Sequence, residues 1–327
     1  MASNQNTNEI VKQKKSRGEA FWGMVFISPW LIGFLLFTAG PMIISLALSF
    51  CRYDLATVKY IGFDNYHRML AGSETGYFYK SLSNTIIYVL FSVPLGLTGS
   101  LLVAMLLNQK VKGIALYRTL FYLPSLVPAV ASAIIWLWVF NPDVGIINNF
   151  LRSSFDVPTF SGGTISFHSV PLVKNPPQWL LSSQWALPSL IIMSLWGIGG
   201  SRMIIFLAGL QGVSDEYYEA AKIDGANSWQ QFRNITLPLM TPTIFFNMIL
   251  GIIGAFQVFT QAFVMTNGGP NNATLFYMLY LYRNAFEQLR MGYASALAWV
   301  LFIILFIFTY IQFKNSGKWV HYDGDVK

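Results

Sequence analysis

The sequence predicts an all-α membrane protein with six transmembrane helices. Of its 327 residues, 54% are hydrophobic and only 11% are charged, whereas soluble domains carry about 25% charged residues. The apolar residues are concentrated in six stretches long enough to cross a bilayer, and the basic residues are distributed unevenly between the intervening loops. These observations also predict that both termini lie in the cytoplasm, together with a helical hairpin between spans four and five.

Each predicted span contains about 20 or more mainly apolar residues, the length that crosses the hydrocarbon core. The spans are residues 21–50, 82–107, 119–140, 185–210, 241–265 and 291–312. The first span follows a basic segment, as a signal peptide would, but its 30 residues without a charge exceed the roughly 7 to 15 of a signal h-region. It is therefore predicted to be a retained membrane helix with a kink at Pro29 or Pro41.

The distribution of Lys and Arg predicts the orientation. If the N-terminus is inside, the inner segments hold 12 basic residues in 76 positions and the outer segments hold 8 in 99. Positive residues near span ends are retained in the cytoplasm, so this roughly twofold difference in density predicts cytoplasmic termini. The domain organisation is then a cytoplasmic tail (1–20), a six-span transmembrane domain (21–312) that includes an inner loop (211–240), and a second cytoplasmic tail (313–327).

Composition argues against several other classes of protein. The net charge of +7 is explained by the retention of positive residues, and the sequence has no basic patch interleaved with aromatics, so a nucleic-acid partner is not predicted. The single cysteine, Cys51, excludes an intrachain disulfide and a thiolate metal site. The outer loop 141–184 is rich in Ser, Pro and Gly, and the sequence leaves open whether it is an ordered cap or a flexible loop.

The predicted spans lack the residues that would power transport or carry out catalysis. All fourteen acidic residues lie outside the spans, whereas proton- and ion-coupled transporters usually place carboxylates within the membrane. No phosphate-binding G-x-x-x-x-G-K-[ST] loop is present, and the three histidines are scattered over loops and tail without catalytic spacing. Neither ATP hydrolysis nor another enzymatic reaction is predicted for the chain alone.

The inner loop is predicted to form a helix, a turn and a second helix. Ser214 can cap the first helix, which is expected to run to about Asp224. Gly225 can adopt a positive φ and end that helix. Asn227 or Ser228 can begin the second helix, and Pro238 marks the entry to span five.

The same loop carries a motif that resembles the coupling loop of a known transporter family. Glu219-Ala220-Ala221, three further residues, Gly225, nine further residues and Ile235-Thr236-Leu237-Pro238 match the E-A-A loop of the permease subunits of ATP-binding-cassette (ABC) importers. The chain is similar to the maltose and glycerol-phosphate type over nearly its whole length. Similar stretches also occur at residues 60–66, 123–128 and 266–270.

The resemblance implies a subunit that works with partners in the bacterial plasma (inner) membrane. It implies a second, non-identical permease, two ABC ATPases that bind ATP and Mg²⁺, an extracytoplasmic solute-binding protein and a carbohydrate substrate, with no cofactor bound by this chain. In the family the hairpin enters a cleft on the ATPase and transmits its closure to the spans. The coupling residues implied here are Glu219, Ala220, Ala221, Asp224, Gly225, Ile235, Leu237 and Pro238.

Span five is predicted to contribute to the substrate path. Several of its polar or small residues, together with Val258, fall within about 120° of arc on a helix. Amides suit neutral polyols because they both donate and accept hydrogen bonds, and an aromatic ring can stack on a sugar face. The alternative is ordinary interhelical packing, in which small residues and amide bridges are common. The candidates are Asn247, Gly251, Gly254, Phe256, Gln257 and Gln261.

The sequence leaves the nature of the substrate open. Arg202 is the only basic residue within a predicted span; it is expected near the cytoplasmic end, where it can snorkel, so no central cation for an anionic substrate is predicted. The alternatives to a sugar or oligosaccharide permease are a permease for glycerol-3-phosphate or another polyol derivative, and a secondary transporter.

Overall fold

The computed structural model describes residues 17–109, 111–161 and 164–321, and these are mostly helical. Residues 1–16 and 322–327 of the predicted tails lie outside the described residues. In chain order the α-helices are α1 (Arg17–Phe34), α2 (Gly40–Ser49), α3 (Asp64–Leu70), α4 (Thr75–Leu107), α5 (Ile114–Tyr122), α6 (Ala129–Val139), α7 (Ile146–Arg152), α8 (Ala186–Ser194), α9 (Ser201–Gln211), α10 (Asp215–Ile223), α11 (Ser228–Gln231), α12 (Leu237–Leu239), α13 (Thr241–Phe256), α14 (Thr260–Met265), α15 (Tyr277–Tyr282) and α16 (Met291–Ser316).

Four of the described helical segments are long and apolar enough to cross a membrane: Phe21–Ser49, Thr75–Leu107, Thr241–Met265 and Met291–Ser316. The number rises to as many as six if each of two bent helix pairs counts as one span. These segments occupy the six apolar stretches of the sequence. We keep the numbering one to six for them.

Span one is irregular before Pro41, and Pro29 lies within helix α1. A π-helical segment, Leu35–Ala39, joins α1 to α2, and the Gly40 N–H donates to the carbonyl of Leu35. Pro41 has no N–H to donate and its ring would crowd the carbonyl four residues earlier. The wider π turn relieves that crowding, which explains its position.

Spans three and four are each formed by two helices that meet at a sharp bend. In span three, helix α5 and a 3₁₀ turn, Leu123–Leu126, meet helix α6 at 93°. Pro128 accounts for this break, because a proline disfavours helical backbone in the preceding residue, and Val127 is extended.

In span four, helix α8 and a 3₁₀ turn, Leu195–Gly197, meet helix α9 at 47°. The two breaks lie against each other: a Cβ added to Gly199 would overlap the Phe121 carbonyl oxygen, and one added to Gly200 would lie 3.0 Å from the Ser125 Cβ. Glycine is required at this approach because the backbones of the two spans nearly touch.

The loops after spans one and three carry two β-hairpins in addition to short helices. Strand β1 (Cys51–Tyr53) pairs antiparallel with β2 (Val58–Tyr60), and β3 (Ser154–Ser161) pairs antiparallel with β4 (Thr164–Pro171). At the base of the second hairpin, Asn148 donates to the carbonyls of Pro142 and Pro177 and accepts a 2.7 Å bond from Trp179 Nε1. The described flanks of the loop 141–184 are therefore an ordered cap.

Two apolar clusters hold the helices together, one above the other along span two. The outer cluster includes Phe78 and Tyr88 of span two with Phe276 and Leu297. The inner cluster joins residues from Leu97 onward in span two to helix α9 and the start of span five. The clusters separate near the middle of span two, which leaves room for a polar cavity.

Candidate functional site

Helix α10 of the inner loop begins and ends as the sequence predicts. The Ser214 hydroxyl accepts a hydrogen bond from the Glu216 N–H at 3.3 Å. At the other end the Gly225 N–H donates to the Lys222 carbonyl (3.1 Å) and the Ala226 N–H donates to the Ala221 carbonyl (2.8 Å). This pair of bonds is a Schellman motif, which requires a left-handed residue. Gly225 has a φ of +77°, and the prediction of its role in the turn is confirmed.

Helix α11 is short and tightly capped. Asn227 and Gln230 form a reciprocal capping box, with each side chain accepting a hydrogen bond from the other residue's backbone N–H at 2.8–2.9 Å. The Gln231 side chain donates to the Ala226 carbonyl. These bonds fix the second helix relative to the turn, so the hairpin has a defined shape.

The hairpin exposes a mixed apolar and charged surface. Glu219, Ala220, Asp224 and Gly225 are exposed, and Ala221 is half-buried. Ile223 is 87% exposed and Trp229 is 66% exposed. Ile223 was missed as a candidate, although an isolated apolar residue directly before the turn of a polar loop is a recognisable signal. An exposed apolar tip of this kind is typical of a protein-binding surface.

The second half of the loop joins the hairpin rigidly to span five. A π-helical segment, Phe232–Thr236, continues into helix α12, and the Tyr218 hydroxyl lies 3.0 Å from Thr236 Oγ1. Ile235 and Pro238 are half-buried, whereas Leu237 is 37% exposed. The second helix of the hairpin therefore continues through helical segments to the start of span five.

The membrane-embedded part of the chain contains two adjoining polar cavities of about 410 and 350 Å³. They share Ser194, Arg202, Leu250 and Gly251, so they form one continuous region between spans two, three, four and five. Broken spans expose polar groups in such a region, and irregular backbone at membrane depth is tolerated only where protein or a water-filled cavity satisfies it.

Most of the residues predicted for the substrate path lie at these cavities. Gly251, Gly254, Gln257 and Gln261 line the larger one, and Asn247 lines the smaller one. The helical-wheel argument fails beyond Phe256, because the helix stops there and resumes at Thr260. Asn247 is tied to its own helix by a bond to the Thr243 carbonyl.

Phe256 differs from the other candidates of span five. It is 1% exposed and packs in the outer apolar cluster, against Phe308. The aromatic rings that line the larger cavity are those of Tyr88 in span two and of Phe259, in the interruption of the helix.

Arg202, which is expected from the sequence to snorkel near the cytoplasmic end, lines both cavities instead. A Cβ added to Gly96 of span two would lie 2.5 Å from its Nη1, and one added to Gly251 of span five would lie 3.3 Å from its Nη2. Gly96 lies about 16 Å along the helix from Leu107, and Gly251 lies about 15 Å from Thr241. Side chains tilt toward the helix N-terminus, which directs this guanidinium toward the break in span four.

The outer ends of spans two and six are joined by a charged cluster. Glu74 accepts a 2.9 Å bond from Arg290 Nη1 and a 3.1 Å bond from the Tyr280 hydroxyl, which also lies 3.1 Å from the Tyr293 hydroxyl. Burial raises the pKa of Tyr280, so the hydroxyl keeps its proton and remains a donor. Within the described parts of the chain, no group of three or more His, Cys, Asp or Glu side chains could hold a metal ion.

Comparisons with known proteins agree on one family. Residues 96–320 match the family described as "Binding-protein-dependent transport system inner membrane component". The chain is 45% identical to the probable ABC transporter permease YesP of Bacillus subtilis, covering 98% of both chains. It is 32% identical to the lactose transport system permease LacF of Rhizobium radiobacter, covering 90% of this chain and 94% of that one.

A solved structure shares the fold. A chain of a bacterial alginate ABC transporter, crystallised in complex with an alginate pentasaccharide-bound periplasmic protein, superimposes with a TM-score of 0.73 over 91% of this chain and 95% of that one. The sequences are 22% identical.

Proposed function

Because the chain belongs to the family of binding-protein-dependent transport system inner membrane components, we propose that it is one of two permeases of an importer that moves a sugar or oligosaccharide by ATP-driven alternating access. The permease works in the plasma membrane, and the dependence of the family on a binding protein supports a solute-binding partner. The second permease is not identical to this chain, and two ABC ATPases lie on the cytoplasmic side. Both termini are cytoplasmic in this proposal, with six spans.

The observation that supports the proposal best is the geometry of the inner hairpin. A rigid, capped helix pair projects Ile223 and Trp229 into solvent and continues through residues 232–239 into span five. Glu219 and the small Ala220 lie on the exposed surface of the first helix, where a partner backbone can approach closely.

In the proposed cycle, two ATPase subunits close on ATP and carry the docked hairpins with them. Because the hairpin is continuous with span five, this closure biases the permease pair from the inward-facing to the outward-facing state. The chain contributes the residues that contact the ATPase and those that connect the hairpin to span five, while ATP and Mg²⁺ are bound by the ATPases. The coupling residues proposed are the eight that carry the motif, from Glu219 to Pro238.

The polar cavity is the proposed substrate path. Gln257 and Gln261 each offer an amide that donates and accepts hydrogen bonds, and Phe259 offers a ring at the same cavity. Similar chains are named as permeases for lactose, arabinooligosaccharides and multiple sugars, which supports a carbohydrate substrate. A permease for glycerol-3-phosphate or another polyol derivative is the second candidate.

Uptake into liposomes tests the proposal. The chain is reconstituted with its second permease, the two ATPases and the binding protein, and uptake of labelled lactose, an arabino-oligosaccharide and a galacturonate dimer is measured with and without internal ATP. We expect uptake only with ATP and the complete set of subunits. The matched control is the chain alone under an imposed sugar gradient. Gradient-driven uptake by the chain alone would identify a secondary transporter and refute the proposal.

A further inference from the structure

We infer that the polar cavity binds the anionic group of a charged saccharide at Arg202. This inference rests on the proposed transport function and specifies its substrate: a sugar that carries a carboxylate or a phosphate. The guanidinium serves as the charge-selecting group, and the amides of span five serve the hydroxyls.

The location of Arg202 is the first argument. Its guanidinium lies between Gly96, about two-thirds of the way along span two, and Gly251, just under halfway along span five, where the two apolar clusters separate. A basic residue within a membrane span is energetically costly. Such residues face a bundle interior or an aqueous cavity and mark the path of a substrate or ion. Arg202 lines both cavities, as expected for that role.

The charge of Arg202 is not neutralised by an acid of this chain in the described structure. No Asp or Glu lines either cavity, and all acidic residues lie outside the predicted spans. The salt bridges found among the described residues are near the outer surface and do not include Arg202. A ligand that brings its own negative charge would offset the cost of this cation.

The surroundings of Arg202 are polar. Ser92, which is 7% exposed, lines the larger cavity together with Tyr88 and Ser194. Hydroxyl groups both donate and accept hydrogen bonds, so a polar ligand beside the guanidinium would find partners there.

The chemistry of the side chains defines the class of ligand. A guanidinium offers several N–H donors in a fixed planar fork that matches a carboxylate or phosphate. Gln257 and Gln261 at the same cavity match hydroxyls. The combination of a single cation with several amides and hydroxyls suits a sugar with one acidic group at this point, such as a uronate unit or a phosphorylated unit.

Binding of matched acidic and neutral sugars tests the inference. The purified complex in detergent, without its binding protein, is presented with the dimers of galacturonate, glucuronate and mannuronate, and with the methyl ester of each, which keeps the ring and loses the charge. Galactose 1-phosphate and galactose form a fourth pair. We expect at least one acid to bind about tenfold tighter than its neutral partner, as a charge-assisted hydrogen bond predicts. A preferred uronate or a preferred phosphate each supports the anion site and identifies its chemistry.

Variants connect the preference to Arg202. R202Q is expected to reduce the acid-to-neutral ratio to about one, and R202K, which keeps the charge, is expected to keep part of it. R52Q is the matched control, because Arg52 is an exposed arginine on strand β1 and its loss is expected to leave the ratio unchanged. The wild-type comparison stands by itself if R202Q fails to assemble.

Two results would overturn the inference. The first is a wild-type complex that binds the neutral member of every pair as tightly as the acid. The second is an R202Q complex that assembles and keeps the full preference, which would show that a residue of another subunit selects the charge. Neither result bears on the proposed transport function as long as ATP-dependent uptake of a sugar is observed. The absence of ATP-dependent uptake in the liposome assay would instead count against the transport function itself.

Discussion

Substitution of Gly225 separates the two jobs of the hairpin turn, its folding and its docking. The residue has a φ of +77°, and a Cβ added there would meet nothing within 4 Å. Any cost of alanine within the chain is therefore conformational, about 1–2 kcal/mol for a left-handed residue. That cost corresponds to roughly a 5- to 30-fold change in a two-state equilibrium. The capping box at Asn227 and the bond from Gln231 to Ala226 are retained and oppose the opening of the turn.

Three variants separate the effect of backbone strain at position 225 from the effect of side-chain bulk. G225N, which tolerates a left-handed backbone, is expected to transport at nearly the wild-type rate. G225A is expected to lower ATP-driven uptake by no more than about fivefold, because part of the strain is absorbed by the remaining hydrogen bonds. G225W has the same strain as alanine plus a bulky indole on the proposed docking surface, and we expect uptake at background while ATP hydrolysis continues.

The assay is sugar uptake and phosphate release by the same proteoliposomes. The matched control is G113W: Gly113 also has a positive φ, +79°, and open space around an added Cβ, but it lies in the other predicted inner loop. It should therefore carry a similar strain and retain uptake. If G225W transported as well as G225A, bulk at position 225 would not matter and the docking argument would fail.

Three further substitutions test the packing and the coupling. G199A is expected to prevent correct folding, seen as aggregation in size-exclusion chromatography, because its Cβ would overlap a backbone carbonyl of span three, whereas G197A, with nothing within 4 Å, should elute normally. N84L removes the Asn84 amide, which donates to two backbone carbonyls between spans five and six at 2.8 and 3.1 Å. It should lower the free energy of unfolding of the purified protein by about 2 kcal/mol or more, and an unchanged melting temperature would contradict these bonds. E219K should leave membrane insertion intact and reduce ATP-driven uptake about tenfold. E216K, in the first turn of the same helix, should reduce uptake much less. Equal loss of uptake in the two variants would argue against a specific contact at Glu219.

The apolar stretches and the inner hairpin could be predicted because they depend on local sequence. Span lengths follow from runs of apolar residues, and the turn at Gly225 follows from the cap residues on either side of it. Ser214 and Asn227 both act as the predicted caps. For these elements, the backbone hydrogen bonds are satisfied by neighbours only a few residues away.

The broken spans and the cavity depend on contacts between distant segments. The pair Val127-Pro128 contains the signal for a break, since a proline disfavours helix in the residue before it. The role of Arg202 could not be predicted, because a residue number within a span does not say which way a long side chain extends. Its contacts with Gly96 and Gly251 on two other spans are visible only in the structure.

The closeness of Arg202 to Gly96 and Gly251 also bears on how these three positions can change during evolution. The guanidinium occupies the space in which a side chain at position 96 or 251 would begin. A larger residue at either position requires the arginine to withdraw, and a shorter residue at position 202 leaves a void that a larger neighbour can fill. Across related permeases we therefore expect side-chain size at 96 and 251 to vary inversely with side-chain length at 202. The three positions would then drift together as one correlated set, although they belong to three different helices.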